Sequence, residues 1–226
     1  MIDDPDALGT ITVGAAAPDF MVRAVNRDGD IGLDNYKGRR ALLLGLFRGL
    51  HCPFCRRQVI QMNGYAERLG KLGVEGLAVI NTELGRARLY YGRQQIQIAL
   101  AVDPRWETHR RYGLIRPRMT FGKTDWPRKV NPKDMFALRL NPTGELPEPA
   151  SPFKANEAIN RIDGFKPSMV DRKFQAIHGN TGAGYVLIDK DGIVRWRWLE
   201  GQTGLKDVGK FPSEQDILAA ASGARR

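Results

Sequence analysis

Cysteine and histidine are both scarce in this chain, and their scarcity argues against two classes of protein. The 226 residues include only two cysteines, Cys52 and Cys55, whereas a disulfide-stapled fold uses more cysteines and spreads them along the chain. The three histidines, His51, His109 and His178, lie far apart in the sequence, and no second Cys-x-x-Cys pair completes a zinc site. We therefore expect no disulfide framework, no bound metal and no cofactor.

Long hydrophobic runs are missing as well. The most apolar stretch, Ala41–Phe47, has the length of a strand and falls far short of the roughly 20 residues that span a bilayer. Residues 1–6 carry three aspartates and no basic residue, which is the opposite of the positive start of a signal peptide. These features predict a cytoplasmic protein that does not associate with membranes.

Acidic residues are outnumbered by basic ones. The chain has 35 Lys and Arg against 25 Asp and Glu, which gives a formal net charge of +10. Basic chains often bind nucleic acid, but here the basic residues are spread along the whole chain, so we expect no nucleic-acid partner. One group of arginines is expected to form a solvated face that attracts anionic substrates, and it consists of Arg105, Arg110, Arg111, Arg116 and Arg118.

The hydrophobic pattern predicts an α/β fold. Apolar runs typical of buried strands alternate with helical patterns, which indicates parallel strands joined by crossover helices. The predicted strands are Ala41–Phe47, Val74–Ile80 and 98–102, and the predicted helices are 53–72, 83–95 and 106–112.

Residues 115–181 interrupt this alternation and hold eight of the 13 prolines, with short helical patterns at 156–162 and 169–177. A connection of this length is typical of a lid, a dimer arm or a flexible loop, which leaves a homodimer open. Two alternating runs around Asp191-Gly192 then predict a hairpin, and Ser213 is the predicted N-cap of a last helix over 213–221. We expect one domain, 1–226, with 115–181 inserted before the last hairpin.

The two cysteines stand at a strand-to-helix junction. The N-terminus of a helix presents unpaired N–H groups and a partial positive charge, which favour a thiolate over a thiol. Cys55 follows Cys52 by one helical turn, so it can attack an oxidised Cys52 and close a disulfide. The spacing therefore predicts thiol–disulfide redox chemistry in which Cys52 attacks and Cys55 resolves.

Basic and titratable residues surround the cysteine pair in the sequence. Arg48, Arg56 and Arg57 are expected to add positive potential. His51 is expected either to add more when it is protonated or to relay protons. We select Arg48 and His51, together with the two cysteines, as the candidate catalytic residues. His178 precedes the last hairpin and is read either as a loop histidine or as a residue that approaches the cysteines.

Several short motifs occur in a characteristic order. They are Ala17-Pro18-Asp19-Phe20, Tyr36-Lys37-Gly38, Cys52-Pro53-Phe54-Cys55, Tyr112-Gly113 and Leu187-Ile188-Asp189. In this order they resemble peroxiredoxin-like proteins, of the CxxC type, in the alkyl hydroperoxide reductase and thiol-specific antioxidant family. The resemblance implies a thioredoxin-like fold with a central mixed β-sheet flanked by helices. It also implies that Cys52 reduces a peroxide or disulfide substrate, that Cys55 resolves the product, and that the thioredoxin or glutathione system supplies the thiols.

The chain departs from the pattern of that family near the cysteines. The family signature Pro-x-x-x-Thr-x-x-Cys has Gly45 and Gly49 at its proline and threonine positions here. The segment 181–184, where the family brings an arginine, contains none, and it also lacks the cis-proline of thioredoxins. Arg48 is therefore read either as a replacement for the missing arginine or as a surface residue.

Three functions follow from these observations. The first is a thiol-dependent peroxidase, as the resemblance implies. The second is a protein-disulfide or glutathione-linked reductase with little peroxidase activity, favoured by the departures and by the Cys-Pro-aromatic-Cys sequence. The third is a non-enzymatic, redox-responsive binding module that uses the basic surface and the insertion.

Overall fold

The computed structural model describes residue 9 and residues 11–224 and shows a layered α/β fold. The strands are β1 (Met21–Ala24), β2 (Asp30–Gly32), β3 (Ala41–Phe47), β4 (Val74–Ile80), β5 (Ala99–Val102), β6 (Arg118–Met119), β7 (Lys129–Val130), β8 (Gly184–Ile188) and β9 (Val194–Leu199). The α-helices are α1 (Pro53–Gly64), α2 (Ala66–Lys71), α3 (Leu84–Tyr91), α4 (Glu107–Arg111), α5 (Pro132–Ala137), α6 (Pro152–Ile162), α7 (Met169–His178) and α8 (Glu214–Gly223). Residues 1–6, which carry the expectation about a signal peptide, lie outside the described residues.

Seven strands form one mixed sheet in the order β2-β1-β5-β4-β3-β8-β9. β3 pairs in parallel with β4, and β4 pairs in parallel with β5, as the alternation of strands and helices predicts. β8 closes against the other side of β3 in the antiparallel sense. The predicted α/β fold with a central mixed sheet flanked by helices is confirmed.

The central strand β3 is buried from Leu42 to Phe47 because helices and loops cover both faces of the sheet. Its side chains alternate between two cores. Leu43 and Phe47 belong to the core that contains Val59 of α1, whereas Leu44 belongs to the core that contains Tyr112. The strand therefore ends with its last residues held rigidly on both sides, directly before the loop that leads to the cysteines.

The helical stretch predicted over 53–72 is two helices rather than one. α1 ends at Gly64, and Tyr65 departs from helical geometry with φ −106° and ψ 12° before α2 begins. Tyr65 is buried, and its ring lies in the same core as Met62 and Leu69 on either side of the break. The break lets all three side chains face the sheet, which a continuous pattern of apolar spacing does not reveal.

The insertion 115–181 contains α5, α6, α7 and the two-stranded sheet of β6 and β7, of which only α6 and α7 were predicted. Ala155 and Ile159 of α6 join the core that contains Val59 of α1. Buried ion pairs add to this contact, with Arg56 Nη2 2.7 Å from Asp163 Oδ2 and Arg86 Nη2 2.7 Å from an oxygen of Asp171. The treatment of the chain as a single domain stays a prediction.

The last elements agree with the turn and capping signals. β8 and β9 form the antiparallel hairpin, and Gly192 takes the positive φ (81°) that its turn requires. Ser213 caps α8 through its hydroxyl, which accepts a hydrogen bond from the N–H of Asp216 at 3.2 Å. Within the part of the chain that the structure describes, no helix combines the length and apolarity needed to cross a bilayer.

Candidate active site

The cysteine pair lies at the N-terminus of α1, as predicted. Cys52 is the N-cap residue, and its Sγ accepts a hydrogen bond from the N–H of Cys55 at 3.3 Å. Pro53 occupies the first turn, where its missing N–H leaves no gap in the helix. The two cysteines are free thiols, and their sulfurs lie 2.8 Å apart. The two sulfurs are therefore close enough to form a disulfide without a large movement of the backbone.

Arg48 reaches the cysteines from the end of β3. Its Nε donates to Cys52 Sγ at 3.4 Å, and its Nη1 donates to the backbone carbonyl of Thr181 at 2.6 Å. Only 11% of its side chain is exposed, so Arg48 is not a surface residue. Thr181 begins the segment 181–184 in which the resemblance places an arginine. The guanidinium of Arg48 therefore reaches this segment from the opposite side of the site.

Glu200 holds Arg48 in place, and the sequence did not single it out. Its two carboxylate oxygens accept from Arg48 Nη1 at 2.5 Å and from Nη2 at 3.2 Å. The same oxygens accept from the N–H groups of Ala183 at 2.9 Å and Gly209 at 2.7 Å. Glu200 is only 2% exposed, so four donors compensate its buried charge. The only sequence feature that distinguishes Glu200 is its position directly after β9, and this position does not predict that it pairs with Arg48, 152 residues earlier.

The surroundings shift the pKa values of the two thiols in opposite directions. Burial opposes a thiolate at Cys52, but the hydrogen bond with Cys55 and the charge of Arg48 outweigh it and lower the pKa of Cys52 to about 6. Burial and the hydrogen bond with Cys52 raise the pKa of Cys55. At neutral pH Cys52 is the thiolate, and Cys55 keeps the proton of the pair. This difference in ionisation is compatible with an attacking Cys52 and a resolving Cys55, and that assignment of roles stays a prediction.

His51 lies beside the cysteines but does not carry the charge that was one of its two expected roles. Burial and the nearby charge of Arg48 lower the pKa of His51 to about 3, so its imidazole is neutral at neutral pH. The residue is 3% exposed, and neither ring nitrogen has a hydrogen-bond partner among the described residues. The alternative role in proton relay stays a prediction.

The glycine at the threonine position of the family signature has a steric reason. A Cβ atom on Gly49 would lie 2.5 Å from the carbonyl oxygen of Asn81 and 3.0 Å from Nδ1 of His51. The first of these contacts is with backbone, which cannot move aside as a flexible side chain does. The imidazole of His51 thus stands next to the space in which a threonine side chain would begin.

Other residues that the sequence brought near the cysteines serve elsewhere. Arg56 and Arg57 both bind the carboxylate of Asp163, which partly compensates the positive potential that they are expected to add near the cysteines. His178 stacks on Trp106 at a ring-centroid distance of 6.5 Å, so it packs within the fold as a neutral side chain with its pKa lowered by burial to about 4. Trp198, on the last strand of the sheet, packs on Phe211 at a ring-centroid distance of 5.3 Å.

A cavity of about 540 Å³ opens above Cys52. Its floor is formed by Arg48, His51, Cys52 and Glu200, whereas Cys55 does not line it. Its walls come mainly from the insertion and are largely apolar: they include Ile115, Met119, Trp126, Phe136, Leu140 and Phe153. Trp126 is fixed by a 2.8 Å hydrogen bond from its Nε1 to the carbonyl of Gly201. Within the described residues no group of three His, Cys, Asp or Glu side chains could hold a metal ion.

The sequence matches a known protein family over the region that contains the two cysteines. The profile of the AhpC/TSA family matches residues 13–140, which is more than half of the chain and includes both cysteines. The chain belongs to the AhpC/TSA family. A comparison with curated protein sequences gave no match.

Solved structures similar to this AhpC/TSA protein share its fold at low sequence identity. Peroxidoxin BcpB from Mycobacterium tuberculosis has a TM-score of 0.57 and 10% identity, with 96% of this chain and 100% of that chain covered. The reduced 2-Cys peroxiredoxin of Plasmodium vivax has a TM-score of 0.55 and 15% identity, with 94% and 96% covered. A structure from Chlorobium tepidum, titled as a thiol:disulfide interchange protein DsbE, has a TM-score of 0.50 and 19% identity, with 94% and 99% covered.

The family and the cysteine pair together define the class of chemistry. This AhpC/TSA protein is a thiol-dependent oxidoreductase with a thioredoxin-like fold. The reading of the chain as a non-enzymatic binding module is therefore set aside.

Proposed function

We propose that this protein is a thiol-dependent peroxidase in which Cys52 attacks the peroxide and Cys55 resolves the product. The observation that carries the proposal is the contact between Arg48 Nε and Cys52 Sγ at 3.4 Å, on the floor of a cavity. This contact places a fixed cation beside the nucleophile. A peroxidase needs positive charge at that point, because cleavage of the O–O bond releases an anion next to the sulfur.

In the first step the Cys52 thiolate attacks one oxygen of the hydroperoxide, and the O–O bond breaks. Cys52 becomes a sulfenic acid, and the leaving alkoxide or hydroxide takes up a proton to give an alcohol or water. Arg48 stabilises the thiolate before the attack and the developing oxyanion during it. Because Glu200 fixes the guanidinium through two hydrogen bonds, little reorganisation is needed when the charge moves.

In the second step the sulfur of Cys55 attacks the sulfenic acid of Cys52, which forms the disulfide and releases water. The raised pKa of Cys55 keeps this thiol protonated while the peroxide reacts, so it does not compete as a nucleophile. The distance of 2.8 Å between the sulfurs means that resolution needs no large movement of α1. The apolar walls of the cavity leave room for an organic hydroperoxide as well as hydrogen peroxide.

The test is a stopped-flow titration of the reduced protein with hydrogen peroxide and with cumene hydroperoxide. Trp126 lines the cavity, so its fluorescence is expected to report the reaction, and mass spectrometry identifies the product. We expect a fast loss of two hydrogens in the wild type, a sulfenic acid in Cys55→Ser and no reaction in Cys52→Ser. Arg48→Met should slow the reaction about 100-fold, whereas the exposed control Arg39→Met should not change it. A wild-type rate equal to that of free cysteine with both peroxides would contradict the proposal.

A second function, reduction of disulfides, is favoured by Gly49 and by the Cys-x-x-Cys arrangement at the helix N-terminus. Gly49 removes the hydroxyl that orients a peroxide in the family signature, while the arrangement of Cys52 and Cys55 serves disulfide exchange equally well. Reduction of insulin and of a glutathione mixed disulfide, measured beside the peroxide reaction, separates the two functions. Fast reduction of either disulfide without peroxide consumption would favour this reductase.

A further inference from the structure

Among the described residues, the cavity above Cys52 is the route by which a small molecule reaches the cysteine pair. Cys52 is 3% exposed and Cys55 is 1% exposed, and of the two only Cys52 lines the cavity. A thiol that reduces the Cys52–Cys55 disulfide has to bring its own sulfur into line with the S–S bond. That sulfur therefore has to enter the cavity and attack Cys52.

Helices α6 and α7 form one side of this cavity, which we call its roof, and both are attached firmly to the rest of the fold. Arg56, which is buried, donates to the carbonyl of Leu50 at 2.6 Å and to Asn160 Oδ1 at 2.9 Å. Its guanidinium also lies over the ring of Phe165 at 3.9 Å, which adds a cation–π contact to the ion pair with Asp163. These contacts join α1 to α6 and to the residues that follow α6. Movement of α6 away from α1 would separate the buried Arg56 from Asn160 and Asp163, which would be strongly destabilising.

A second anchor holds α7. Arg86 binds the carboxylate of Asp171 through Nε at 3.0 Å and Nη2 at 2.7 Å, and Asp171 is fully buried. Asn156 of α6 donates from Nδ2 to the carbonyl of His51 at 3.1 Å, directly beside Cys52. The roof is thus tied to the loop that carries the nucleophile. While these contacts are intact, a reductant has to fit its thiol into the cavity to reach Cys52.

The floor of the cavity offers unused hydrogen-bonding groups to a small molecule. Both ring nitrogens of the buried His51 lack a partner among the described residues, although His51 lines the cavity beside Cys52. A buried polar group without a partner is destabilising, and a polar ligand at this position relieves that penalty. The exposed side chain of Gln175 also lines the cavity and is able to bind amide or carboxylate groups.

We propose, on the basis of the peroxidase function above, that the reductant is a low-molecular-weight thiol that enters this cavity, rather than a protein. Its thiolate attacks Cys52, the Cys52–Cys55 bond breaks, and Cys55 leaves and takes up a proton. The resulting mixed disulfide on Cys52 is then attacked by a second molecule of the thiol. That step releases the oxidised thiol as its own disulfide and returns Cys52 as a thiolate, whose low pKa makes it a good leaving group.

The experiment starts from protein converted to the Cys52–Cys55 disulfide with diamide, so that it does not depend on peroxide reduction. Recovery of two free thiols is followed with glutathione as the small thiol, and separately with a thioredoxin kept reduced by its reductase, at equal thiol concentration. We expect the rate with glutathione to saturate and to exceed the rate with thioredoxin. Faster reduction by thioredoxin, or a glutathione rate that rises linearly without saturation, would overturn the inference.

A pair of variants tests whether the thiol uses the cavity. Ala176 is an exposed residue of α7 that lines the cavity, so Ala176→Trp places an indole at its wall without disturbing the core. Ala219→Trp is the matched control, because Ala219 is an exposed residue of α8 that does not line the cavity. We expect Ala176→Trp to lower the glutathione rate at least tenfold and Ala219→Trp to leave it unchanged. An unchanged rate in the tryptophan variant would refute entry through the cavity. Failure of the peroxidase proposal alone would show as absent peroxide consumption with intact reduction by glutathione.

Discussion

Replacement of Glu200 by glutamine tests the central electrostatic relation of the site. Two opposite results are conceivable for the pKa of Cys52. If Glu200 acts only as a negative charge that weakens Arg48, its removal strengthens Arg48 and lowers the pKa further. If Glu200 positions Arg48, its removal releases the guanidinium from Cys52 Sγ and raises the pKa.

The geometry favours the second result. Four donors share the two oxygens of Glu200, and a glutamine offers only one oxygen to them. Arg48 then loses one side of its fork, together with the alignment that places Nε 3.4 Å from the sulfur. A hydrogen bond to a charged group contributes about 1.5–3 kcal/mol, which corresponds to about 1–2 pKa units. For a rise of about 1.5 units, the thiolate fraction at pH 7 falls from about nine-tenths to about one-quarter.

The assay is the absorbance of the thiolate at 240 nm in reduced protein, measured as a function of pH, with Cys52→Ser as the blank. We expect a midpoint near pH 6 in the wild type and between about 7 and 8 in Glu200→Gln. Glu200→Gln is also expected to unfold about 3 kcal/mol more easily, because it leaves a buried arginine partly uncompensated. Arg48→Lys keeps the charge but loses the fork, so it should raise the midpoint as well, even if Glu200→Gln does not fold. A midpoint at or below 6 in either folded variant would refute the positioning argument.

Three further predictions follow from the same structure. Gly49→Ala should destabilise the fold by about 1–3 kcal/mol in urea denaturation, because the added Cβ meets the carbonyl of Asn81; an unchanged midpoint would show that this segment adapts. Arg56→Met should destabilise by about 3–5 kcal/mol, because it leaves Asp163 and the carbonyl of Leu50 without their buried partner, and Arg57→Met, at the more exposed neighbour, should have a smaller effect. Cys55→Ala should shift the pH profile of Cys52 alkylation by iodoacetamide to higher pH, and Cys55→Ser should shift it less, since serine retains a donor; equal shifts would exclude that hydrogen bond as a cause.

Local signals were sufficient for the framework of the fold. Ala41–Phe47 is apolar on both faces, and this pattern alone indicates a central strand because such a run cannot be solvated on either side. The position of Cys52 at a helix start follows from Pro53 and the apolar spacing after it, and Asp191-Gly192 marks the last hairpin through backbone geometry. Each of these features depends on residues within a few positions of one another.

The break at Tyr65 and the elements β6, β7 and α5 escaped prediction because they are stabilised by contacts with distant parts of the chain. The apolar spacing over 53–72 is compatible with one helix, and only the packing of Tyr65 into the core decides for two. The short strands β6 and β7 contain two residues each, too few for a periodic pattern. Proline frequency marked the insertion but did not reveal that it covers the cysteines.

The sequence by itself determined that Cys52 lies at the start of a helix with Cys55 one turn later, since spacing and capping are local properties, and the assignment of Cys52 as attacking and Cys55 as resolving thiol follows from that position as a prediction. The tertiary structure decided how the thiolate is held, because Arg48 and Glu200 meet only when β9 returns beside β8 at the edge of the sheet. It also decided that His51 is neutral, since burial rather than residue type lowers its pKa. Burial and long-range pairing set the electrostatics of this site, and neither can be read from a local pattern of residues.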